Sequence, residues 1–240
     1  MSIQKLREAM QKAERICVFT GAGISCPSGI PDFRSAKGLY SETDKSGYAP
    51  EEIISHSFFV KHTDLFYEFY KSKMMYPEAE PNKAHLYFAQ LEKQGKKVSV
   101  VTQNIDGLHS KAGCTEVYEL HGSVHRNFCL DCGSFFDGDY VYKSADVPKC
   151  EKCGGTVKPD VVLYEEGLDD NVVKGALKAI READLLIIIG TSLAVYPAAS
   201  FVGYFKGETI VLINKSPTPY DQKADIVIYD DIINVIEHLV

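Results

Sequence analysis

Five short apolar, β-branched runs constrain this chain more than any other feature: Ile16 to Thr20, Val98 to Thr102, Leu185 to Ile189, Thr209 to Ile213 and Ile226 to Ile228. Runs of this length and composition read as strands buried on both faces. Helical periodicity lies before and after them, in Val172/Val173, Ala176/Leu177 and Ile180, and in Ile232/Ile233, Val235/Ile236 and Leu239. Strand alternating with helix implies an α/β chain whose mainly parallel, Rossmann-like sheet carries helices on both faces. At the start, Ile3, Leu6, Met10 and Ala13 share one helical face and no apolar block of a secretory signal is present. That segment reads as a surface helix of a cytoplasmic protein.

Ligands of such sheets bind beyond the carboxyl ends of the strands. Here those ends are polar or glycine-rich: Gly21-Ala22-Gly23-Ile24-Ser25, Gln103-Asn104-Ile105-Asp106-Gly107, Gly190-Thr191-Ser192 and Asn214. Four such clusters converging on one crevice imply a large polar ligand. With 240 residues, 45% hydrophobic and 25% charged, the chain has an ordinary globular composition and room for a main domain with a smaller insert. Disordered, collagen-like and coiled-coil chains are excluded. A formal charge of -7 argues against a nucleic-acid backbone as partner and makes basic peptides the better expectation. The uncharged stretch from Leu185 to Phe205 is punctuated by Gly190-Thr191-Ser192 and Pro197. It reads as strand, turn and helix, with no membrane span.

Two stretches break the strand–helix pattern. Residues 36–82 contain a long aromatic helical face, Phe58/Phe59, His62, Leu65/Phe66 and Phe69/Tyr70, and residues 125–158 contain four cysteines. The expected organisation is a main domain of 1–35, 83–124 and 159–240, with 36–82 and 125–158 inserted as a small helical and zinc-binding module. Cys129, Cys132, Cys150 and Cys153 form a C-x2-C-x17-C-x2-C pattern. This spacing suits a zinc site, and four thiolates close the tetrahedron, which makes the metal structural. Gly133 and Gly154 follow the second cysteine of each pair, where such knuckles need left-handed backbone. The rival reading, two disulfides, does not suit an intracellular chain. Between Cys129 and Cys153 three lysines face four aspartates and a glutamate, so the loop is no basic nucleic-acid reader.

Gly21-x-Gly23 after a strand opens a dinucleotide fingerprint, whose glycines let phosphate approach the backbone. The third position is Cys26, and Pro27 and Gly29-Ile30-Pro31 follow. The loop is therefore not that of a common hydride-transferring dehydrogenase.

Gly21 to Ser25, Ser28-Gly29-Ile30-Pro31-Asp32-Phe33-Arg34, Thr102 to His109, Glu119-Leu120-His121-Gly122, the two cysteine pairs, Gly190-Thr191-Ser192-Leu193 and Ile213-Asn214 occur in this order along the chain. Together they resemble the sirtuin family of NAD-dependent protein lysine deacylases. The resemblance covers nearly the whole chain and implies an NAD-binding α/β domain, a zinc and helical module, and a cleft where NAD and an acyl-lysine protein or peptide meet. It also implies the reaction. The acyl oxygen attacks C1′ of the nicotinamide ribose, nicotinamide leaves, and water completes release of lysine and 2′-O-acyl-ADP-ribose.

By residue, the resemblance makes His121 the general base, with Asn104 and Asp106 holding the nicotinamide end and its water, and Gln103 a ribose contact. Gly21, Ala22, Gly23, Ser25, Asp32, Phe33 and Arg34 become the loop around phosphate and nicotinamide, with Phe33 shielding the reacting carbon. Gly190, Thr191, Ser192 and Asn214 become phosphate and adenosine-ribose contacts. Val161, Val162 and Tyr164 fall where an extended peptide lies and the lysine tunnel is walled. Without the resemblance, His121 reads as a core histidine, Asn104 and Asp106 as turn residues, Phe33 as core and Thr191-Ser192 as a helix N-cap. His85, His109 and His125 read as structural or surface residues, and Cys26 as a small packing residue.

One segment departs from the family. Leu163-Tyr164-Glu165-Glu166 stands where many members carry Phe-Gly-Glu after paired apolar residues. Tyr70 and Lys73 have the spacing of the tyrosine–arginine pair that acidic-acyl enzymes use, but lysine lacks the bidentate fork, so a neutral short acyl group, acetyl, is expected. The alternatives are removal of longer acyl groups, ADP-ribosyl transfer to protein, and an NAD sensor or scaffold without turnover.

Overall fold

A computed structural model describes residues 2–33, 38 and 47–240. Its strands are β1 (Arg15–Thr20), β2 (Lys97–Thr102), β3 (Glu116–Glu119), β4 (Gly122–Cys129), β5 (Phe135–Asp137), β6 (Val157–Val161), β7 (Leu185–Ile189), β8 (Thr209–Asn214) and β9 (Ile226–Tyr229). The helices are α1 (Ser2–Lys12), α2 (Pro50–Ile53), α3 (His56–Lys61), α4 (Thr63–Lys73), α5 (Lys83–Lys93), α6 (Leu108–Ala112), α7 (Gly138–Lys143), α8 (Asp170–Glu182) and α9 (Ile232–Leu239).

All five runs read from the sequence are strands of one sheet, in the order β3-β2-β1-β7-β8-β9. Every neighbouring pair is parallel. Alternate side chains enter two cores, as buried parallel strands require. Ile16, Val18, Val100, Ile187 and Val211 pack with Leu6, Phe88 and Val235 of α1, α5 and α9. Cys17, Phe19, Val101, Leu186 and Ile188 pack on the other face with Ala176 and Ile180 of α8 and with Phe201 and Val202. Phe201 and Val202 belong to the 3-10 segment Ala198–Tyr204 that follows the turn after β7. Among the described residues no helix is long and apolar enough to cross a membrane.

Strand order runs outward from β1 through β2 and β3 on one side and through β7, β8 and β9 on the other. The switch point is therefore between β1 and β7, and the crevice beyond their carboxyl ends is where a doubly wound sheet holds a ligand. β3 was not legible as a strand: Glu116-Val117-Tyr118-Glu119 is a four-residue edge strand, paired only with β2.

The two interrupting stretches share a third core. Phe58, Phe59, Phe66, Tyr67, Phe69 and Tyr70 pack with Val124, Cys129, Val141, Cys150, Val157 and Val161. The last set comes from α7 and from a three-stranded antiparallel sheet, β5-β4-β6, and its connections. The expected boundaries at 124/125 and 158/159 fall inside β4 and β6, so both strands run from one module into the other. The long aromatic helix is also divided in two. His62, with φ -136°, leaves helical geometry between α3 and α4, and its ring packs 4.9 Å from that of Phe58.

Candidate active site

A cavity of about 620 Å³ lies at the switch point, a size typical of ligand sites. It is lined by Gly21, Ala22, Gly23, Ser25, Asp32, Phe33, Gln103, Asn104, Asp106, His121, Val161, Val162, Tyr164, Gly190, Thr191, Ser192 and Asn214. These are the expected catalytic, cofactor-binding and peptide-binding residues, except Arg34, which lies outside the described residues.

Three of the strand ends are tied to one another. The Ser25 hydroxyl after β1 donates to Asp106 Oδ2 (2.7 Å) and accepts from Asn104 Nδ2 (3.1 Å), both after β2. Gln103 Nε2 donates to Thr191 Oγ1 after β7 (3.0 Å). The Gly23 N–H donates to the Gly190 carbonyl (2.9 Å), joining the β1 and β7 loops directly. This last contact changes the reading of the glycines. A Cβ on Gly21 would stand 2.7 Å from Thr191 Cβ, and one on Gly23 would stand 2.6 Å from Gly190 Cα. Their missing side chains let the β1 and β7 loops touch.

Behind the crevice, Asn104 N donates to Thr102 Oγ1 (3.0 Å), which also accepts from Thr20 Oγ1 (2.8 Å). Thr20 Oγ1 is in turn 3.2 Å from His109 Nε2. His85 and His109 pack edge to face at 4.7 Å, and burial lowers the pKa of both. Both are buried, on the structural side of the sequence expectation, which left them as structural or surface residues.

His121 follows β3 and precedes β4. Its Nδ1 lies 2.9 Å from the Gln103 carbonyl, which can only accept, so Nδ1 carries the proton and Nε2 the lone pair. Burial lowers its pKa against the raising effect of that carbonyl, so the ring is neutral at pH 7. A neutral imidazole with a basic Nε2 in the cavity wall can accept a proton. Burial raises the Asp106 carboxyl above its ordinary value, while the Leu108 N–H at 2.9 Å and the Ser25 hydroxyl oppose it.

The Val162 N–H donates to the His121 carbonyl (3.0 Å), linking the end of β6 to His121. Tyr164 lines the cavity, and its backbone is tied to the start of α3: Tyr164 N donates to Ile54 O (3.0 Å) and His56 N donates to Tyr164 O (3.0 Å). Tyr70 takes no part. It is fully buried, stacked 5.5 Å from Phe66, while Lys73 lines the cavity. The spaced pair therefore does not meet a ligand together.

Sequence reasoning missed Ile105, Ile54, Met74, Met75 and Tyr142 as lining residues. Ile105 was detectable as the one apolar residue between Asn104 and Asp106. The others come from the small module, and only its docking against the sheet brings them in.

The Sγ atoms of Cys129, Cys132, Cys150 and Cys153 all lie within 4.8 Å of one another. Cys129 to Cys153 is 3.4 Å and Cys132 to Cys150 is 3.6 Å. Zinc–sulfur bonds of about 2.3 Å in a tetrahedron require sulfur–sulfur edges of about 3.8 Å. The four cysteines thus fit a closed zinc site. Gly133 and Gly154 have φ of 68° and 78°, and their N–H groups donate to Cys129 O (3.0 Å) and Cys150 O (2.8 Å), forming the two knuckles.

A ligand crevice at the switch point of a doubly wound parallel sheet, closed on one side by an inserted four-cysteine module, defines a nucleotide-binding α/β protein. The Sir2 family model matches residues 21–197, and the chain belongs to the Sir2 family. It is 55% identical over 239 residues to an NAD-dependent protein deacetylase of Clostridium acetobutylicum, covering 99% of this chain and 98% of that one. It is 56% identical over 235 residues to one of Clostridium perfringens, covering 98% and 96%. A solved structure described as Sir2–p53 peptide–NAD+ superposes with a TM-score of 0.87 at 34% identity, covering 100% of this chain and 97% of that one.

Proposed function

We infer that this protein is an NAD-dependent protein deacetylase that removes acetyl groups from lysine side chains of proteins or peptides. The observation that carries this reading is the convergence of every described candidate catalytic, cofactor-binding and peptide-binding residue on one cavity, with a neutral, tautomerically defined His121 in its wall. The deacetylases of both Clostridium species support it, as does the likeness to a Sir2 structure holding NAD+ and a peptide.

When bound, NAD would supply a ribose carbon that exchanges its bond to nicotinamide for one to the acetyl oxygen. The strand-end loops at Gly21–Ser25 and Gly190–Ser192 would offer backbone to its phosphates, and Asn214 would contact the adenosine end. Asn104 and Asp106, locked by Ser25, would hold the nicotinamide end. Gln103, braced by Thr191, would contact the ribose. His121 would accept a proton at Nε2 from the ribose hydroxyls. Phe33 would screen the reacting carbon from water, and Val161, Val162 and Tyr164 would border the acyl-lysine. Cys129, Cys132, Cys150 and Cys153 would hold one structural zinc, which joins the two knuckles and has no part in the chemistry.

We assign 1–35, 83–124 and 159–240 to the NAD-binding domain and 36–82 with 125–158 to the small domain, the shared aromatic core supporting the second grouping. We place the protein in the cytoplasm, where thiols stay reduced for zinc. The test is incubation of the purified protein with an acetyl-lysine peptide, with and without NAD, following peptide mass and nicotinamide. NAD-dependent acetyl loss with equal nicotinamide release is expected. Mass gain on the peptide would instead indicate ADP-ribosyl transfer, and NAD binding without nicotinamide release a sensor.

A further inference from the structure

Glu165 and Leu193 are the non-glycine residues with left-handed backbone among those described, at φ 76° and 52°. They stand in the loops after β6 and β7, and Glu165 lines the cavity. A Cβ in this conformation crowds the neighbouring carbonyl, and glycine is the residue that ordinarily relieves it. Glu165 brings what glycine lacks. Its Oε2 accepts from Ser57 N (2.8 Å) and its Oε1 from Ser57 Oγ (3.0 Å). Ser57 is in the first turn of α3, where N–H groups have no partner within the helix and a carboxylate complements the helix dipole.

The contacts on either side run the same way. Tyr164 exchanges two backbone hydrogen bonds with Ile54 and His56. Glu166 Oε1 is 2.9 Å from His56 Nδ1, and its Oε2 accepts from Leu163 N (2.9 Å) and Lys158 Nζ (3.1 Å). The backbone pairing ties Tyr164 to the start of α3, and the Glu165 carboxylate ties the same turn to the next residue of that helix.

We propose that Glu165 is a positioning residue for the acyl peptide: its carboxylate clasps helix α3 and holds residues 163–166 in the turn that presents Tyr164 to the cavity. The proposal rests on the deacetylase reading for its kinetic consequence, although the clasp itself is a statement about structure. It touches none of the strand-end groups, so its effect falls on peptide binding.

The test compares the full chain with Glu165→Ala, Glu165→Gly and Glu165→Gln, measuring acetyl-peptide KM and kcat at saturating NAD and amide hydrogen exchange in residues 163–166. Glu165→Ala is expected to speed exchange and raise peptide KM about tenfold, the scale of a lost helix cap, with kcat and the KM for NAD within about twofold of wild type. Glu165→Gln keeps an acceptor and is expected to restore most of the loss. Glu165→Gly relieves the crowding and keeps its thermal stability, yet still raises KM, which separates positioning from folding. Unchanged exchange in both Ala and Gly variants, or a wild-type KM, would overturn the proposal, as would a fall in kcat that tracks Tm. If the wild-type chain released no acetyl, the deacetylase reading would fall. Exchange, together with the affinity of a fluorescent acetyl-lysine peptide, would then decide the clasp by the same comparison.

Discussion

Replacing Gly23 by alanine isolates the loop-to-loop contact, because Gly23 has ordinary backbone and only the space around it forbids a side chain. The added Cβ would stand 2.6 Å from Gly190 Cα and 2.9 Å from Gly190 O. Carbon atoms rest about 3.5–4.0 Å apart, so the β1 and β7 loops must part by about 1 Å. That separation takes the Gly23 N–H to Gly190 O hydrogen bond, now 2.9 Å, out of range. Overpacking contributes about 1–3 kcal/mol and the hydrogen bond about 1 kcal/mol, a loss of about 2–4 kcal/mol. For a chain of this size the melting temperature should drop by roughly 5–15 °C. The assay is calorimetric unfolding with and without NAD, alongside NAD affinity. A melting temperature within about 2 °C of wild type with weakened NAD binding would refute the packing argument, and would leave the glycine only its role toward phosphate.

His121→Ala should lower kcat/KM by about 10²–10⁴, the usual worth of a general base, with little change in Tm. In the wild type, the midpoint of the rise of kcat/KM with pH should fall below the ordinary histidine pKa of about 6.5, because burial lowers that of His121. Metal analysis should find one zinc per chain. Since Cys129 and Cys150 sit in the aromatic core of the small module, chelation should lower Tm and increase dye binding to apolar surface; an unchanged melt would exclude a structural metal. Burial holds His85 down to about 4 and His109 well below its ordinary value. The unfolded chain therefore binds more protons below about pH 6.5, so the stability from neutral burial is complete above that pH and is lost as pH falls toward 4. His85 alone removes about 2 kcal/mol by pH 5, and a flat melting curve between pH 7 and 5 would contradict its burial.

The five strand runs and the polar cluster after four of them were legible because both properties are local. A buried strand must be apolar along its length, and a ligand-binding end must be glycine-rich or polar. The zinc knuckles were legible for the same reason, each being one turn between two cysteines. β3 was not, because an edge strand with one neighbour needs no continuous apolar run. Nor was the break at His62, where the aromatic spacing continues through α3 and α4 while the backbone leaves helical geometry.

By itself, then, the sequence determined the parallel α/β sheet, the polar strand-end loops that line the cavity, the paired cysteines and the likeness to a family. Tertiary structure alone decided which groups meet. Ser25 locks Asp106 across 81 positions of chain, Gly23 is required by Gly190, Tyr70 is turned into a core, and Glu165 finds its partner on α3. Periodicity and spacing report what a segment buries or where it bends. Contacts between distant segments depend on how sheets and helices dock, which no local pattern encodes.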